Sequence, residues 1–386
     1  MKRVLIFSLA YFPRVGGAEI AVKEITDRID PKDIEFHLIT LRFDGTSQRE
    51  KVGNILVHRI GNGSYLSKIL FAPKATLMGI SLHKKYKFNA LWSMMSYMLY
   101  PVVFMRILGI RLPYALTLQE GDTYKHTFGR WRLWLFLPLL TLGFRQATVV
   151  QAISTFLGTW ARRRGFRGPL EIIPNGVNVE KLSGKSVAHD GIVLITTSRL
   201  VKKNAVDTII RALALLPAYV SLRVLGFGSE EKKLKTLAHE LGLARRVTFF
   251  NHIAPDEIPR HLHAADIFIR PSRSEGMGNS FIEAMAAGLP VVATQEGGIT
   301  DFLFDAKRNP DKPTTGWAVD KDSPEEIAQR VKEILSNQEF TKKVVENARK
   351  LAFEKYDWDL IARDMRAKVF ARLRSAEADL RRGEAR

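Results

Sequence analysis

RPSRSEGMGNSFIEAMAAGLPVVAT, residues 270–294, runs from the end of one apolar segment through a glycine loop and a helix-length stretch into the next apolar segment. ADIFIRP (265–271) and PVVAT (290–294) have the length and apolar character of buried strands, and 280–287 between them fits a helix. Gly276 and Gly278 keep the helix from starting before about Asn279. Strand, loop, helix, strand is one turn of an α/β fold built on a parallel sheet. The loop also raises a chemical question. Glycines ahead of a helix start commonly seat phosphate, yet this loop and helix carry two carboxylates, Glu275 and Glu283, eight positions apart.

The same alternation extends outward. Upstream, strands are expected at 3–8, 35–40, 55–60, 89–93, 114–118 and 148–153, with helix-length segments near 17–30, 66–86, 97–108 and 129–146. EIIPNGVNVEKLSGKS (171–186), with a proline, two glycines and two serines, reads as a linker. The rhythm restarts with strands at 191–198, 221–226 and 246–251 and helices at 204–216, 230–241 and 256–264. Helix-like segments at 324–336, 339–351 and from about 357 close the chain, whose last residues read as a solvated tail. The expected architecture is α/β: two doubly wound domains, residues 1–175 and 176–355, then a C-terminal helix and tail, 356–386.

With 386 residues and 46% apolar side chains, two ordinary cores are affordable. No run of 18 apolar residues is present, which argues against a spanning helix. MKRVLIFSLAYFPRVGG imitates a signal peptide, but Pro13 and Arg14 end the apolar run early and no small-residue cleavage site follows; a buried first strand is expected. The absence of cysteine leaves no disulfide framework and no thiolate metal site, and it permits a reducing compartment. Net charge is +19, unevenly placed: 27 basic and 12 acidic residues precede Ser186, against 32 and 28 from there on. No acid lies between Glu50 and Glu120, or between Asp122 and Glu171. A basic first half points to an anionic partner, nucleic acid or a membrane surface.

Ligands of open parallel sheets bind beyond the carboxyl ends of the strands, so two such domains suggest a site in the cleft between them. YFPRVGGAEIAV (11–22) follows the first strand; Gly16 and Gly17 either admit a ligand or simply make a tight turn. Their spacing is not G-x-G-x-x-G, which argues against a nicotinamide cofactor. In TSRLVKKNAVDTII (197–210), Arg199, Lys202 and Lys203 lie past a strand and before a helix, a set that suits a diphosphate or forms a solvated loop. Ser280 and Glu283 fit a capping box, and Glu275 fits an exposed loop acid; both readings stand beside the functional one.

Taken together, the E-x7-E of Glu275 and Glu283, the EGG at 296–298, GGAE at 16–19, IPNGVN at 173–178 and SRL at 198–200 resemble, in this order, the retaining nucleotide-sugar glycosyltransferases of family 4. The resemblance covers nearly the whole chain. It implies the GT-B fold: α/β, two Rossmann-like domains facing a cleft, with the C-terminal helix crossing back to the first domain. It implies that Glu283 holds the ribose hydroxyls and Glu275 hydroxyls of the donor sugar, while Gly276, Met277, Gly278, Asn279 and Ser280 meet sugar or phosphate at the helix N-terminus. Arg199 and Lys203 would clamp the diphosphate, with Lys202 and Asn204 beside them, and Gly16 or Gly17 would approach it from the other domain. Glu275, Arg199 and Lys203 are the residues expected to carry the reaction. Two positions depart from the family pattern. The family's lysine, five residues after the arginine, is Asn204 here, which leaves the role to Lys203 or Lys202. Its histidine after the TL strand is Gln119 here, in TLQEGD (117–122); an amide donates a hydrogen bond but trades no proton near pH 7. Glu120, Asp122 and His126 are nearby substitutes on the acceptor side.

The implied reaction is transfer of a sugar, with retention, from a UDP- or GDP-sugar to a glycan or lipid-linked acceptor in bacterial cell-surface polysaccharide or lipopolysaccharide synthesis. No bound cofactor and no metal are expected: there is no D-x-D, and DWD (357–359) lies far from the other motifs. A nucleotide-sugar 2-epimerase or a phosphorylase-like enzyme on the same fold is the alternative. A nucleic-acid-binding protein rests on charge alone and leaves the glutamate pair unexplained, so no nucleic-acid partner is expected. GRWRLWLFLPLLTLGFRQ (129–146) reads either as a core helix with basic ends or as an interfacial helix, which SLHKKYK (81–87) and WARRRGFRG (160–168) would extend. Arg162–Arg164 also suit a helix C-terminus before Gly165. The expectation is a cytoplasmic protein attached peripherally to an anionic surface, the inner face of the cytoplasmic membrane.

Overall fold

The computed structural model describes residues 2–43, 45–129, 135–184, 187–251 and 253–384. The chain forms two compact units, Met1–Asn175 with Trp358–Arg386, and Gly176–Asp357. The first unit runs β1 (Lys2–Phe7), α1 (Gly17–Asp27), β2 (Ile34–Leu41), β3 (Arg49–Val52), β4 (Ile55–Ile60), α2 (Tyr65–Ile69), α3 (Phe71–Tyr86) and β5 (Ala90–Met94). It continues through α4 (Leu99–Ile107), β6 (Tyr114–Leu118), α5 (Tyr124–Phe128), α6 (Leu137–Arg145), β7 (Val149–Ala152), α7 (Thr155–Arg163) and β8 (Leu170–Ile172). Its sheet has the order β3-β4-β2-β1-β5-β6-β7-β8, parallel except for β3, which folds back on β4. The central strands are nearly continuous Val, Ile, Leu and Phe because helices cover both faces.

The second unit runs α8 (Val179–Leu182), β9 (Ile192–Thr197), α9 (Val206–Ala214), β10 (Val220–Leu225), α10 (Glu231–Glu240), β11 (Val247–Phe250), α11 (Ile258–His263) and β12 (Ile267–Arg270). Then follow α12 (Asn279–Ala286), β13 (Val291–Thr294), β14 (Trp317–Val319), α13 (Pro324–Ser336) and α14 (Gln338–Lys355). Its parallel sheet has the order β11-β10-β9-β12-β13-β14. This is the Rossmann strand order, and it reverses between β9 and β12.

The chain then returns to the first unit as α15 (Trp358–Asp364) and α16 (Ala371–Glu384), joined by a π-helical turn, as expected for a C-terminal helix that crosses back. Trp358, Ile361, Met365, Val369, Phe370 and Leu373 enter the same core as Val4, Phe36 and Trp92. Phe370 meets Phe36 and Trp92 edge-on at 5.6 and 5.2 Å. Glu377 of α16 bonds Lys2 at 2.6 Å and the Asn89 amide at 2.7 Å.

Three findings differ from the sequence reading. Strands β3, β8 and β14 were not anticipated, because three or four residues are too few to show a period. Strand β8, Leu170–Ile172, falls partly in the segment read as linker. The helix expected over 129–146 is α6, which starts at Leu137 with Pro138 in its first turn; Arg130, Trp131, Arg132, Leu133 and Trp134 of that segment lie outside the described residues.

Candidate active site

The reversal in the second sheet places the ends of β9 and β12 side by side, in the register Leu194 with Ile267 and Ile195 with Phe268. Past β9, the chain passes through Ser198 and the exposed Arg199 into a tight turn at Lys202–Asn204, then enters α9 through Ala205 in the left-handed region, φ 53°. Past β12 comes the glycine loop and α12. Arg273 ties the two segments together. Its N–H donates to the Lys203 carbonyl at 2.7 Å, and its guanidinium reaches the Lys202 carbonyl, Asp207 at 2.7 Å and Asp322 at 2.6 Å.

Beneath that tie lies a buried polar network. Arg270, 8% exposed, donates to Glu275 at 2.5 Å, to the Ser280 hydroxyl at 2.6 Å and to the Asn204 side-chain oxygen at 3.3 Å. Asn204 donates in turn to the Arg199 carbonyl at 2.6 Å. Glu275 is 7% exposed, and its second oxygen accepts the Gly276 N–H at 3.1 Å. It is therefore a clamped, buried carboxylate and not an exposed loop acid. At the ends of β9 and β12, Thr197 Oγ1, Ser198 Oγ, Arg270 Nε and Ser272 Oγ are buried with no hydrogen-bond partner among the described residues. Leaving one such group unpaired costs about 1–3 kcal/mol, so the three hydroxyls among them make this sheet end a candidate seat for a polar ligand.

Helix α12 opens on that seat with no side-chain cap; its cap residue is Gly278, φ 87°. The capping box is thus corrected. Ser280 is already inside the helix, and its hydroxyl accepts from Arg270 instead of a helix N–H. The Glu283 carboxyl, half-buried on the same helix, receives no hydrogen bond from any described residue. Burial pushes its carboxyl up to about 7, opposed by the positive charge of Arg270. Met277 points its side chain into the core at 1% exposure, leaving its backbone to border the loop.

In the first unit, Gly16 caps α1, with its N–H on Glu19 at 2.7 Å. Neither Gly16 nor Gly17 has a positive φ, and a Cβ on Gly17 would meet nothing nearer than Asn175 Nδ2 at 3.9 Å. Within the chain, then, sterics do not require glycine at 17. Gln119, at the end of β6, exchanges two 3.1 Å hydrogen bonds with the Asn175 amide. Glu120 is 3% exposed; one oxygen accepts the Ser96 N–H at 2.7 Å, the other is unpaired among the described residues, and burial pushes its carboxyl up. Asp122 and His126 are exposed beside α5, 3.9 Å apart.

The structure thus gathers Arg199, Lys202, Lys203, Asn204, Glu275, Gly276, Met277, Gly278, Asn279, Ser280 and Glu283 at one sheet end, and Gly17, Gln119 and Glu120 with Asn175 at the end of the other sheet. Sequence reasoning assigned no role to Arg270, Arg273 or Asn175. A charge closing the apolar run IFIR was the available signal for Arg270.

Two family models match the chain: glycosyl transferases group 1 over residues 178–351, and glycosyltransferase family 4 over residues 15–181. A GDP-mannose-dependent alpha-(1-6)-phosphatidylinositol monomannoside mannosyltransferase of Mycobacterium tuberculosis is 29% identical over 63% of this chain; the match spans 66% of that relative's length, just under two thirds. An uncharacterized glycosyltransferase of Methanocaldococcus jannaschii is 24% identical over 97% of this chain and 99% of its own. Among solved structures, sucrose-phosphate synthase from Thermosynechococcus elongatus has the same fold, with a TM-score of 0.83 at 19% identity over 97% of this chain and 100% of that one. The two family models together span residues 15–351, overlapping at 178–181, and the chain belongs to the family 4 glycosyltransferases.

Proposed function

We propose that the protein transfers a sugar, with retention and without a metal, from a nucleoside-diphosphate sugar to a glycan or lipid-linked acceptor in cell-surface glycan synthesis. One observation carries this reading: the clamped Glu275 and the unpaired Glu283 flank an uncapped helix start and a cluster of buried, partnerless hydroxyls at the reversal of a Rossmann sheet. Carboxylates accept from neighbouring hydroxyls, Glu275 from the sugar and Glu283 from the ribose. Arg199 and Lys203, with Lys202 nearby, meet the diphosphate between them, helped by the backbone of Gly276, Met277, Gly278, Asn279 and Ser280 at the helix N-terminus. As the anomeric C–O bond breaks, its electron pair passes to the leaving phosphate oxygen, and these positive groups stabilise the charge. The acceptor oxygen bonds the same face of the sugar, and its proton passes to that phosphate oxygen. The acceptor is assigned to the first unit, near Gln119 and Glu120, with Asp122 and His126 as further candidates. The likeness to a GDP-mannose-dependent mycobacterial mannosyltransferase favours a GDP-sugar donor.

Attachment to an anionic cytoplasmic membrane face belongs to the same proposal. Tyr65, Leu66, Ile69 and Leu77 of α2 and α3 are exposed beside Lys68 and Lys74, as are Leu135 and Phe136 ahead of α6. The arginines at the C-terminal end of α7 are engaged elsewhere: Arg163 lies 3.9 Å over Tyr124, the cap residue Arg164 lies 4.1 Å over Phe128, and Arg162 bonds the Phe166 and Gly168 carbonyls. Among the described residues no helix is long and apolar enough to cross a membrane.

The deciding experiment screens UDP-, GDP- and ADP-sugars for release of the nucleoside diphosphate and determines the anomeric configuration of the product. Release from one donor class, abolished in Glu275→Ala and with the anomer retained, is expected. An inverted product, or a sugar trapped covalently on Glu275, overturns the front-face mechanism.

A further inference from the structure

A guanidinium removed from water needs an anion and filled donor positions to be tolerated. Arg270 has the anion, and acceptors from three different elements fill its two terminal nitrogens, while its Nε stays unpaired among the described residues. Glu275 of the loop takes one Nη2 bond at 2.5 Å, Ser280 of α12 takes Nη1 at 2.6 Å, and Asn204 of the turn before α9 accepts at 3.3 Å. Asn204 is not free to turn away, because its other amide end holds the Arg199 carbonyl at 2.6 Å. The result is a line of contacts from the backbone at Arg199, through Asn204 and Arg270, to the carboxylate of Glu275.

That line determines what Glu275 offers a ligand. One of its oxygens is committed to Arg270 and the other to the Gly276 N–H at 3.1 Å. Each carboxylate oxygen has a second lone pair, so the remaining acceptor directions are fixed by the clamp and do not rotate with the side chain. Recognition of particular sugar hydroxyls depends on such fixed directions. The same contacts account for Asn204 standing where the family pattern has lysine, since a lysine there would place a second cation against the Arg270 guanidinium.

We propose that Arg270 is a positioning residue for donor-sugar recognition, fixing the Glu275 carboxylate through the Asn204–Arg270–Glu275 network, without itself touching the donor. The inference rests on the donor-site reading above and adds to it the group that orients the sugar-reading carboxylate.

The test compares, by calorimetric titration, a nucleotide sugar with its own nucleotide: GDP-mannose against GDP, and UDP-glucose against UDP. Arg270→Lys keeps the charge but loses the fork. It is expected to weaken the nucleotide sugar about tenfold or more while leaving the nucleotide within about twofold. Glu275→Gln should give the same pattern, and the double variant should bind no more weakly than Glu275→Gln alone. Equal losses for sugar-bearing and sugar-free ligands would show a phosphate-binding or merely structural arginine, and multiplying losses in the double variant would show independent roles; either overturns the proposal. Should Arg270→Lys fail to fold, Asn204→Ala removes the third anchor and keeps the ion pair, and it must weaken only the nucleotide sugar. A wild-type protein that binds none of the four ligands would sink the donor-site reading itself, a result distinct from any failure of the Arg270 variants.

Discussion

At Glu283, burial and function pull in opposite directions. The carboxyl ordinarily titrates near 4.5 and is pushed up to about 7 in the fold, by desolvation first, with Arg270 opposing. Between those values the folded state holds a proton that the unfolded state has released, so stability falls as pH rises from about 4.5 to about 7 and stays reduced above. Glu283→Gln removes this penalty. The variant is expected to be more stable than the parent above pH 7 by about 1–3 kcal/mol, with the difference vanishing below about pH 4.5. Thermal melts across that range check it, and a pH-independent difference would show that the carboxyl is ionised throughout. The ligand reverses the preference, because ribose hydroxyls donate to a carboxylate better than to a protonated acid. Nucleotide affinity should therefore rise from pH 6 to 8 in the parent, while in Glu283→Gln it should be flat and about tenfold weaker.

At the scale of the element, α12 is set by its first turn. Gly278 sits at φ 87°, and a Cβ there would lie 2.5 Å from the Phe281 ring, itself buried against Phe268 and Phe302. Gly278→Ala must shift that ring or unwind the turn, and a loss of about 2–3 kcal/mol in urea unfolding is expected, with weakened donor binding. A loss below about 0.5 kcal/mol would mean that the loop relaxes freely. This helix also shows how far the sequence was legible. The strand–loop–helix–strand reading of 265–294, with Glu275 in the loop and Glu283 on the helix, followed from periodicity and motif, and the long apolar strands did likewise. The capping box did not hold, because S-x-x-E marks a pattern of residues, whereas the left-handed Gly278 decides where the helix begins. Nor was the Arg270 network legible. Residues 204, 270, 275 and 280 meet only because β12 lies beside β9 and not beside β11, and nothing in their spacing reveals that order. Likewise, Gln119 and Asn175 meet from two segments 56 positions apart.

For the whole molecule, two features of the first unit set its behaviour: its charge and its borrowed C-terminal helices. The unit's excess of basic residues, beside exposed Tyr65, Leu66 and Ile69, predicts salt-sensitive binding to vesicles containing phosphatidylglycerol. Flotation should succeed at about 50 mM salt and fail near 500 mM. Leu66→Glu with Ile69→Glu should weaken it about tenfold, and absence of binding at low salt refutes membrane attachment. The second feature concerns folding. Trp358, Ile361, Met365, Val369, Phe370 and Leu373 are each at most 3% exposed and fill the core under β1, β2 and β5. Six such side chains, at about 1.5–3 kcal/mol each, rival the net stability of an ordinary domain, about 5–15 kcal/mol. A chain ending at Asp357 should therefore leave Phe36 and Trp92 uncovered and fail to yield a soluble first unit, although the second unit keeps its entire core. A chain ending at Ala378 retains all six side chains and the Lys2–Glu377 pair, and it should melt close to the full-length protein. Circular dichroism of the two truncations decides the matter: if the shorter chain unfolds in a single transition like the longer one, α15 and α16 are accessories; if only the second unit's transition survives, the first domain is completed by residues that lie beyond the second in sequence.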